Sequence, residues 1–366
     1  MSHTVTIEPQ FRAQAVKSIA RPAPSGQVSP AEVSPDHILN VAFSFAASKA
    51  VLSAVELGVF TRLAGGGPQT MEELRLALGL HPRSARDFFD TLVALRFLER
   101  DDAGRYANTP AADLYLDRGK PTYLGGMLEM SNARLYKFWG NLTQGLKTGE
   151  PQNELRDEPD LFDRLYADPD LLRNFLAAMT GLSRTAGRAI AEKFDWTEYR
   201  TFVDVGCAQG AVPVEVALRH AHLRGGGFDL PQVRPVFDDF IRANDLSDRL
   251  AFYPGDMFKE PLPSADVLIM GHILHDWGME AKRELLRKAY EALPPGGALI
   301  VHDAMIDDDR RENVGGLLMS LNMLIETRHG FDYTGADCRQ WFEEAGFRAV
   351  RQEHLGGADS MVVGVK

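Results

Sequence analysis

The segment GHILHDW carries the residues of this sequence that are best suited to acid–base chemistry. It places His275, whose side chain can gain or lose a proton near neutral pH, directly beside Asp276. Such a pair is also common as a structural feature, so the pair alone does not identify a catalytic site. The segment follows the apolar run ADVLIM, which predicts that His275 lies at the exit of a buried strand.

The segment TFVDVGCAQG predicts a buried strand that enters a glycine-containing turn and then a helix. Asp204, Gly206 and Gly210 lie in it, and the glycines let the backbone approach a ligand closely at the start of a helix. An acidic residue about 20 residues further along typically grips ribose hydroxyls. Asp229 lies 19 residues beyond Gly210, and Asp256 follows the next predicted strand. The sequence therefore predicts a nucleotide crevice at one edge of a parallel sheet.

The first turn also indicates which nucleotide fits. It lacks the GxGxxG pattern of NAD-binding enzymes and the GxxxxGK[ST] pattern of phosphate-binding loops, and no Lys or Arg stands in it to meet a pyrophosphate. An acidic crevice of this kind suits a cationic adenosine. S-adenosylmethionine, which carries a sulfonium and an ammonium and no phosphate, is therefore the predicted cofactor.

The pattern along the chain predicts four regions. Residues 1–35, rich in Pro and Ser, predict a flexible arm. The pattern over residues 36–120 predicts short helices followed by a β wing at RYANTPAADLYL, which is the order of a winged-helix-like domain. The third predicted helix has too few free basic residues to bind DNA, so a role in dimerisation is favoured. Residues 121–198 predict a helical connector that contributes to a substrate pocket. Residues 199–366 alternate strands with helices, which predicts a Rossmann-like α/β fold, mostly parallel and closed by an antiparallel hairpin.

The composition excludes several partners. The 366-residue chain carries a net charge of -11, which argues against nucleic acid. Its two cysteines are too few for a disulfide framework and indicate a reducing compartment. The N-terminus lacks the pattern of a signal peptide, and the most apolar stretch, ILNVAFSFAASKAVLSAVELGVF, is broken by polar and charged residues. We therefore expect a cytoplasmic location and no membrane partner.

Taken in order, the motifs VDVGCAQG, GFDLP, PGDMF, HDW, LPPGGALIVHDA and GFDYTGADCRQWFEEAGF resemble one family. It is the class I S-adenosylmethionine-dependent O-methyltransferases of the caffeate and hydroxyindole type, and the resemblance covers about residues 36–366. It implies that Gly206 and Gly210 line the cofactor loop, that Asp229 holds the ribose, and that Asp256 and Met257 frame the adenine. The sequence departs from the family where a basic residue is common four positions before the histidine, because Gly271 stands there.

The same resemblance implies methyl transfer to a hydroxyl of a small aromatic acceptor, with His275 as the general base. A phenol with a pKa of about 10 is a poor nucleophile at neutral pH, so a base must take its proton as the methyl moves. Asp303 and Asp332 would orient the histidine, each one methylene shorter than the usual Glu. The family also implies a homodimer and an apolar acceptor pocket lined here by Phe175, Met179, Met319 and Met323.

Two alternatives remain open at this level. His329 lies three residues before Asp332, and together with His275 and Asp276 it would provide the two-histidine, one-carboxylate ligand set of non-haem iron. A small branch of the family resembles that arrangement and C-methylates 2-oxo acids. The winged-helix-like beginning would also suit a ligand-sensing regulator without turnover. The identity of the acceptor is not readable from the sequence.

Overall fold

The computed structural model describes residues 33–154 and 169–366. Most of the arm predicted over residues 1–35 therefore lies outside the described residues. The described part of the chain divides into two units, with the boundary between Ser48 and Lys49.

The first helix, α1, spans Asp36–Glu56 and begins in the first unit. Several of its apolar side chains in that unit are exposed, namely those of Ile38, Val41, Phe43 and Phe45. By length and composition alone this helix is long and apolar enough to cross a membrane. The core helix of a soluble protein can have the same length and composition. Among the described residues, α1 is the only helix long and apolar enough to do so.

Short elements follow α1 and enclose a small apolar core. They are α2 (Val59–Gly66), β1 (Gln69–Thr70), α3 (Met71–Ala77), α4 (Pro82–Ala94), β2 (Leu98–Arg100), β3 (Arg105–Asn108) and α5 (Pro110–Leu116). The three strands form an antiparallel sheet in the order β1-β3-β2, and Phe60, Phe89 and Leu92 are buried beside it. The predicted order of short helices followed by strands is thus present.

The predicted wing is wrong in one part. The segment TPAADLYL forms the helix α5 rather than the return strand of a hairpin, and the wing consists of β2 and β3 instead. The reason is local. Thr109 caps the helix by accepting a hydrogen bond from the backbone N–H of Ala112, and Pro110 at the first helical position suits a helix start.

Helices then lead to the main sheet. Helix α6 (Gly125–Met130) continues through a π-helical turn (Ser131–Leu135) into α7 (Tyr136–Trp139), followed by α8 (Leu142–Thr148) and the long α9 (Pro169–Lys193). The strands are β4 (Thr201–Val205), β5 (Arg224–Asp229), β6 (Leu250–Pro254), β7 (Val267–Gly271), β8 (Ala298–Asp303), β9 (Arg348–Gly356) and β10 (Asp359–Val365). Between them lie α10 (Ala211–Arg219), α11 (Arg234–Ala243), α12 (Met279–Ala292), α13 (Val314–Glu326) and α14 (Gly335–Glu344).

The seven-stranded sheet has the order β6-β5-β4-β7-β8-β10-β9. Strands β4 to β8 pair in parallel, whereas β10 pairs antiparallel with both β8 and β9. Both faces are covered, because alternate residues of each central strand enter two different cores: Ile269 and Ile300 lie in one, and Leu268 and Val301 lie in the other. The predicted Rossmann-like sheet with its closing hairpin is confirmed. It brings the carboxyl ends of β4, β5, β7 and β8 to one edge.

Leu268→Ala should lower the free energy of unfolding by about 2–5 kcal/mol, because Leu268 is fully buried in the central strand β7 and its loss leaves a cavity. Leu218→Ala is the matched control, since Leu218 is 56% exposed and its removal should cost less than about 0.5 kcal/mol. Denaturant unfolding measures both. Equal effects of the two substitutions would contradict the assignment of β7 to the core.

Candidate active site

A cavity of about 410 Å³ opens at the carboxyl edge of the main sheet. Its lining comes from the turn after β4, the ends of β5, β7 and β8, and the helices α6, α9 and α13. The position follows from the topology, because parallel strands all end at this edge and β4 lies at the point where the strand order reverses.

The turn after β4 is built for close approach. Gly206 has φ +73°, and a Cβ at this position would lie 2.2 Å from Cδ1 of Ile273, so a side chain here would be both strained and blocked. The Asp229 carboxylate accepts hydrogen bonds from the backbone N–H of Ala208 at 2.9 Å and of Leu230 at 2.8 Å. The end of β5 therefore holds the turn in place while Asp229 also lines the cavity.

The other residues predicted for the cofactor occupy the same end of the cavity. Asp204, Asp256 and Met257 line it, whereas Gly210 starts α10 in a left-handed conformation and is not part of the lining. Burial raises the pKa of Asp204 well above its usual value, and the neighbouring Asp229 raises it further. Burial acts to raise the pKa of Asp256, but the hydrogen bonds from the Lys259 ammonium and from the backbone N–H groups of Phe258 and Lys259, together with the charge of Lys259, lower it. Carboxylates at this end fit ribose hydroxyls and a cationic ligand.

His275 lies in a single 3₁₀ turn, Leu274–Asp276, directly after β7. It lines the cavity and is 5% exposed. Its Nδ1 lies 3.1 Å from Oδ1 of Asp332 and 3.8 Å from Oδ1 of Asp303, while its Nε2 lies 3.7 Å from Oδ1 of Asp276. The fold thus brings the three residues predicted for acid–base chemistry together.

The carboxylates control the proton on this histidine. Burial acts to lower the pKa of His275; the carboxylates of Asp303 and Asp276 and the hydrogen bond with Asp332 act against it, and this pKa is raised to about 10. Burial raises the pKa of Asp276 to about 7, although His275 acts to lower it. Burial likewise raises the pKa of Asp303. The surrounding carboxylates therefore favour the protonated form of the imidazole.

Two residues that sequence reasoning missed support this cluster. Tyr333 is buried, and its hydroxyl donates a hydrogen bond to Oδ2 of Asp303. Lys282 is fully buried on α12 and donates hydrogen bonds to the carbonyl oxygens of Trp277 and Phe331 at 2.6 and 3.0 Å.

A signal for Lys282 was present in the sequence. It stands three, four and seven residues before Leu285, Leu286 and Ala289, which places a lysine on the apolar stripe of the helix. Burial lowers the pKa of Lys282 to about 8, although nearby carboxylates, first that of Asp303, act to raise it. The lysine joins the segment that follows His275 to the segment that carries Asp332.

The acceptor side of the cavity is apolar with a few polar groups. The four residues predicted for it all line the cavity: Phe175, Met179, Met319 and Met323. Sequence reasoning missed the polar Asn322 and Glu326 on the same helix α13. Trp139 donates a hydrogen bond to Oδ1 of Asn322 at 3.0 Å, and Arg134 pairs with Glu326 at 3.1 Å.

The residues of the alternative metal set are not brought together as one group. His329 is exposed, and its Cβ would lie 3.2 Å from a Cβ added at Gly278. Within the described part of the chain, two other groups place three potential metal ligands within 4.8 Å of one another. One comprises His272, His302 and Asp359; the other comprises His272, His275 and Asp303.

The structure also accounts for the glycine that stands in place of the family's basic residue. Gly271 pairs with His302 across the parallel strands β7 and β8, and a Cβ at Gly271 would lie 2.0 Å from Nε2 of His302. The imidazole of His302 fills the space that a longer side chain would take. His272 follows with φ +53°, which a histidine rarely adopts.

Comparison with known proteins agrees with this geometry. Residues 139–348, more than half of the chain, match the O-methyltransferase domain, and residues 39–118 match the O-methyltransferase dimerisation domain. Tetracenomycin polyketide synthesis 8-O-methyl transferase TcmO of Streptomyces glaucescens is 44% identical over 91% of this chain and 97% of its own length. The N,N-dimethyltransferase OxyT of Streptomyces rimosus is 37% identical over 90% of this chain and 96% of its own.

A solved structure extends the likeness to three dimensions. Human N-acetylserotonin methyltransferase in complex with S-adenosylmethionine superimposes with a TM-score of 0.85 at 27% identity, covering 93% of this chain and 99% of that one. The resemblance found in the sequence motifs is thereby confirmed. The chain belongs to the O-methyltransferase family and is an S-adenosylmethionine-dependent methyltransferase with an O-methyltransferase dimerisation domain.

Proposed function

We propose that this enzyme transfers a methyl group to a hydroxyl of a small aromatic acceptor of the secondary-metabolite type, with His275 as the general base. The observation that carries the proposal is the contact between Nδ1 of His275 and Asp332, in the wall of a cavity that is lined by both apolar and polar side chains. An acid on one ring nitrogen fixes the tautomer and leaves the other free to take a proton. The name of the relative that is 44% identical, tetracenomycin polyketide synthesis 8-O-methyl transferase, supports a polyketide acceptor for this chain as well.

The cofactor supplies an electrophilic methyl group when it is bound. The chain's own residues then have three tasks. Asp229 and Asp256 hold the adenosine part, the methionines and Phe175 hold the acceptor ring, and Nε2 of His275 takes the hydroxyl proton as the oxygen becomes methylated. Holding the reacting atoms in line within an enclosed site contributes several kcal/mol to the fall in barrier, by the order of magnitude of effective molarities.

The proton state of His275 sets the pH dependence of this step. A base must be unprotonated, yet the surrounding carboxylates raise the pKa of His275 to about 10. The fraction of His275 ready to act as a base therefore grows as pH rises above neutrality. The rising limb of the pH–rate profile should therefore have its midpoint above about pH 6.5. The sequence alone would place this midpoint at about 6.5, the ordinary pKa of an imidazole.

We also propose that two copies of the chain form a homodimer. The match to the dimerisation domain over residues 39–118 supports it, as do the exposed apolar side chains of Ile38, Val41, Phe43 and Phe45 on α1. A stripe of large apolar side chains in water is unfavourable and is typically covered by a partner. Small molecules, rather than nucleic acid or a membrane, are the proposed partners in a cytoplasmic setting, consistent with the net charge of -11.

Asp229→Ala should weaken cofactor binding at least tenfold, because a hydrogen bond to a charged group is worth about 1.5–3 kcal/mol. Isothermal titration with S-adenosylmethionine and with its demethylated product measures the change. Asp239→Ala is the control, since the Asp239 side chain is 74% exposed and lies outside the cavity lining. Unchanged affinity in the first variant would remove Asp229 from the cofactor site.

His275→Ala should lower turnover on the order of 10²–10⁴-fold, because the variant loses the proton acceptor. Cofactor affinity should be retained, because Asp229 and Asp256 are unchanged. His329→Gly is the matched control and should keep wild-type turnover, since His329 is exposed. A screen of phenolic acceptors by mass spectrometry supplies the substrate for both assays.

The pH profile is the second readout for His275. Wild-type kcat/KM should still be rising above pH 7, towards the raised pKa of about 10. This limb should be absent from the residual activity of His275→Ala. A wild-type rate that levels off below pH 7, or an equal loss of activity in His329→Gly, would overturn the general-base proposal.

Light scattering should give a mass near twice the chain's 40.5 kDa. Replacing an exposed apolar residue of α1 by a charged one, Phe45→Asp, should shift the protein towards the single-chain mass, because the charge would be buried at the interface. Asp36→Asn, on the same helix, should leave the mass unchanged. A wild-type mass near 40.5 kDa at all concentrations would rule out the dimer.

A further inference from the structure

Three buried nitrogen atoms in the cavity wall have no hydrogen-bond partner among the described residues. Both ring nitrogens of His302 and Nε2 of His272 are buried without a hydrogen bond to any described residue. His302 is fully buried, and both histidines line the cavity. Buried polar atoms almost always have partners, and an exception of this kind points to a bound water, ion or ligand group.

The backbone holds these side chains against one another. The backbone N–H of His272 donates a hydrogen bond to the carbonyl oxygen of His302 at 2.9 Å, and Gly271 leaves the space that the His302 ring occupies. Asp359 enters from the first position of β10, with Oδ2 lying 3.7 Å from Nε2 of His272. The group is therefore formed by three strands or strand ends that the sheet places side by side.

The spacing suits a shared ion. One ligand atom from each of the three side chains lies within 4.8 Å of the other two. A point at the centre of three atoms that far apart is at most about 2.8 Å from each, which is 4.8 Å divided by √3. Bonds from zinc to imidazole nitrogen and carboxylate oxygen are about 2.0–2.2 Å, so side-chain movements below about one ångström would complete the site.

The chemistry of the donors also suits a cation. Imidazole nitrogen is a preferred ligand of divalent zinc, nickel, copper and iron, and a carboxylate contributes a negative charge. Metal binding uses a ring nitrogen that is not already engaged, and both ring nitrogens of His302 are without a hydrogen bond to any described residue. Two histidines and one carboxylate leave coordination positions open, as catalytic sites do.

The second group, which contains His275 and Asp303, is less suitable. There Nδ1 of His275 is already hydrogen-bonded to Asp332, and Asp303 accepts a hydrogen bond from Tyr333. Binding an ion would break contacts that hold the catalytic histidine. The unpartnered nitrogens of His302 belong to the first group alone.

We propose that His272, His302 and Asp359 bind one divalent transition-metal ion in the wall of the active-site cavity. The ion occupies a position next to the catalytic histidine without using it as a ligand. It also engages one nitrogen of each histidine and leaves open positions towards the cavity that His272 and His302 line.

Metal binding to the full chain, stripped with a chelator, tests the proposal without any need for turnover. Titration calorimetry with zinc chloride should show one ion per chain. His302→Gln and Asp359→Asn should each lower the zinc affinity about a hundredfold or more, beyond the 10–100-fold typical of losing a supporting residue. His354→Ala, a histidine exposed on β9, is the matched control and should change nothing.

Two further measurements locate the ion. Cobalt chloride should give a visible absorption band in the wild type that is lost in Asp359→Asn, a substitution that keeps the size of the side chain and therefore the fold. His275→Ala should keep zinc affinity within about threefold, and thermal unfolding should show zinc stabilising this variant as it does the wild type.

Several results would overturn the proposal. They are no zinc or cobalt binding by the wild type, binding that survives both His302→Gln and Asp359→Asn, or binding that His275→Ala abolishes while Asp359→Asn does not. An absence of binding combined with a raised KM for the acceptor in His302→Gln would mean that the free nitrogens serve the acceptor instead. None of these outcomes bears on the general-base proposal, which is measured by turnover and pH.

Discussion

The active site depends on the burial of three carboxylates around one imidazole. Asp276, Asp303 and Asp332 lie within 3.8 Å of His275 nitrogen atoms at the buried edge of the sheet. Uncompensated buried charge costs several kcal/mol, so the proton on His275 and the buried ammonium of Lys282 are needed to balance it. The raised histidine pKa is the consequence. The same cluster that positions His275 therefore also favours the protonated form of its imidazole.

A cationic cofactor fits this constraint. Asp204, Asp229 and Asp256 line the same cavity as His275. A cation bound beside them would add favourable charge to an acidic wall, and it would also make the loss of the His275 proton less costly, because a nearby cation disfavours a second one.

The second constraint is steric. Strands β7 and β8 place residues 271 and 302 side by side, and only one of them can carry a side chain into the shared space. Here glycine stands at 271 and the imidazole at 302 takes the space. The ring of His302 therefore lies beside His272 in the cavity wall, where both of its nitrogens are without a hydrogen bond to any described residue.

The sequence by itself determined the architecture and the edge at which the site lies. Apolar runs and glycine-containing turns are local signals that neighbouring residues provide. From them the sequence predicted the strands of residues 199–366 and their closing hairpin, and it placed Asp204, Asp229 and Asp256 at one edge of the sheet. The helix α5 was missed although Thr109 and Pro110 signal it locally, because the winged-helix order favoured a strand there.

Only the tertiary structure decided which atoms meet. His275 and Asp332 are 57 residues apart, and their contact at 3.1 Å depends on how α13 and the loop after it return to the end of β7. The same holds for Lys282, whose burial was visible in its helical stripe but whose carbonyl partners were not. It holds also for His302, whose ring reaches the cavity because a glycine faces it across two strands. Periodicity fixes the face on which a side chain lies, whereas its contacts and its pKa are set by the side chains that packing brings against it from distant parts of the chain.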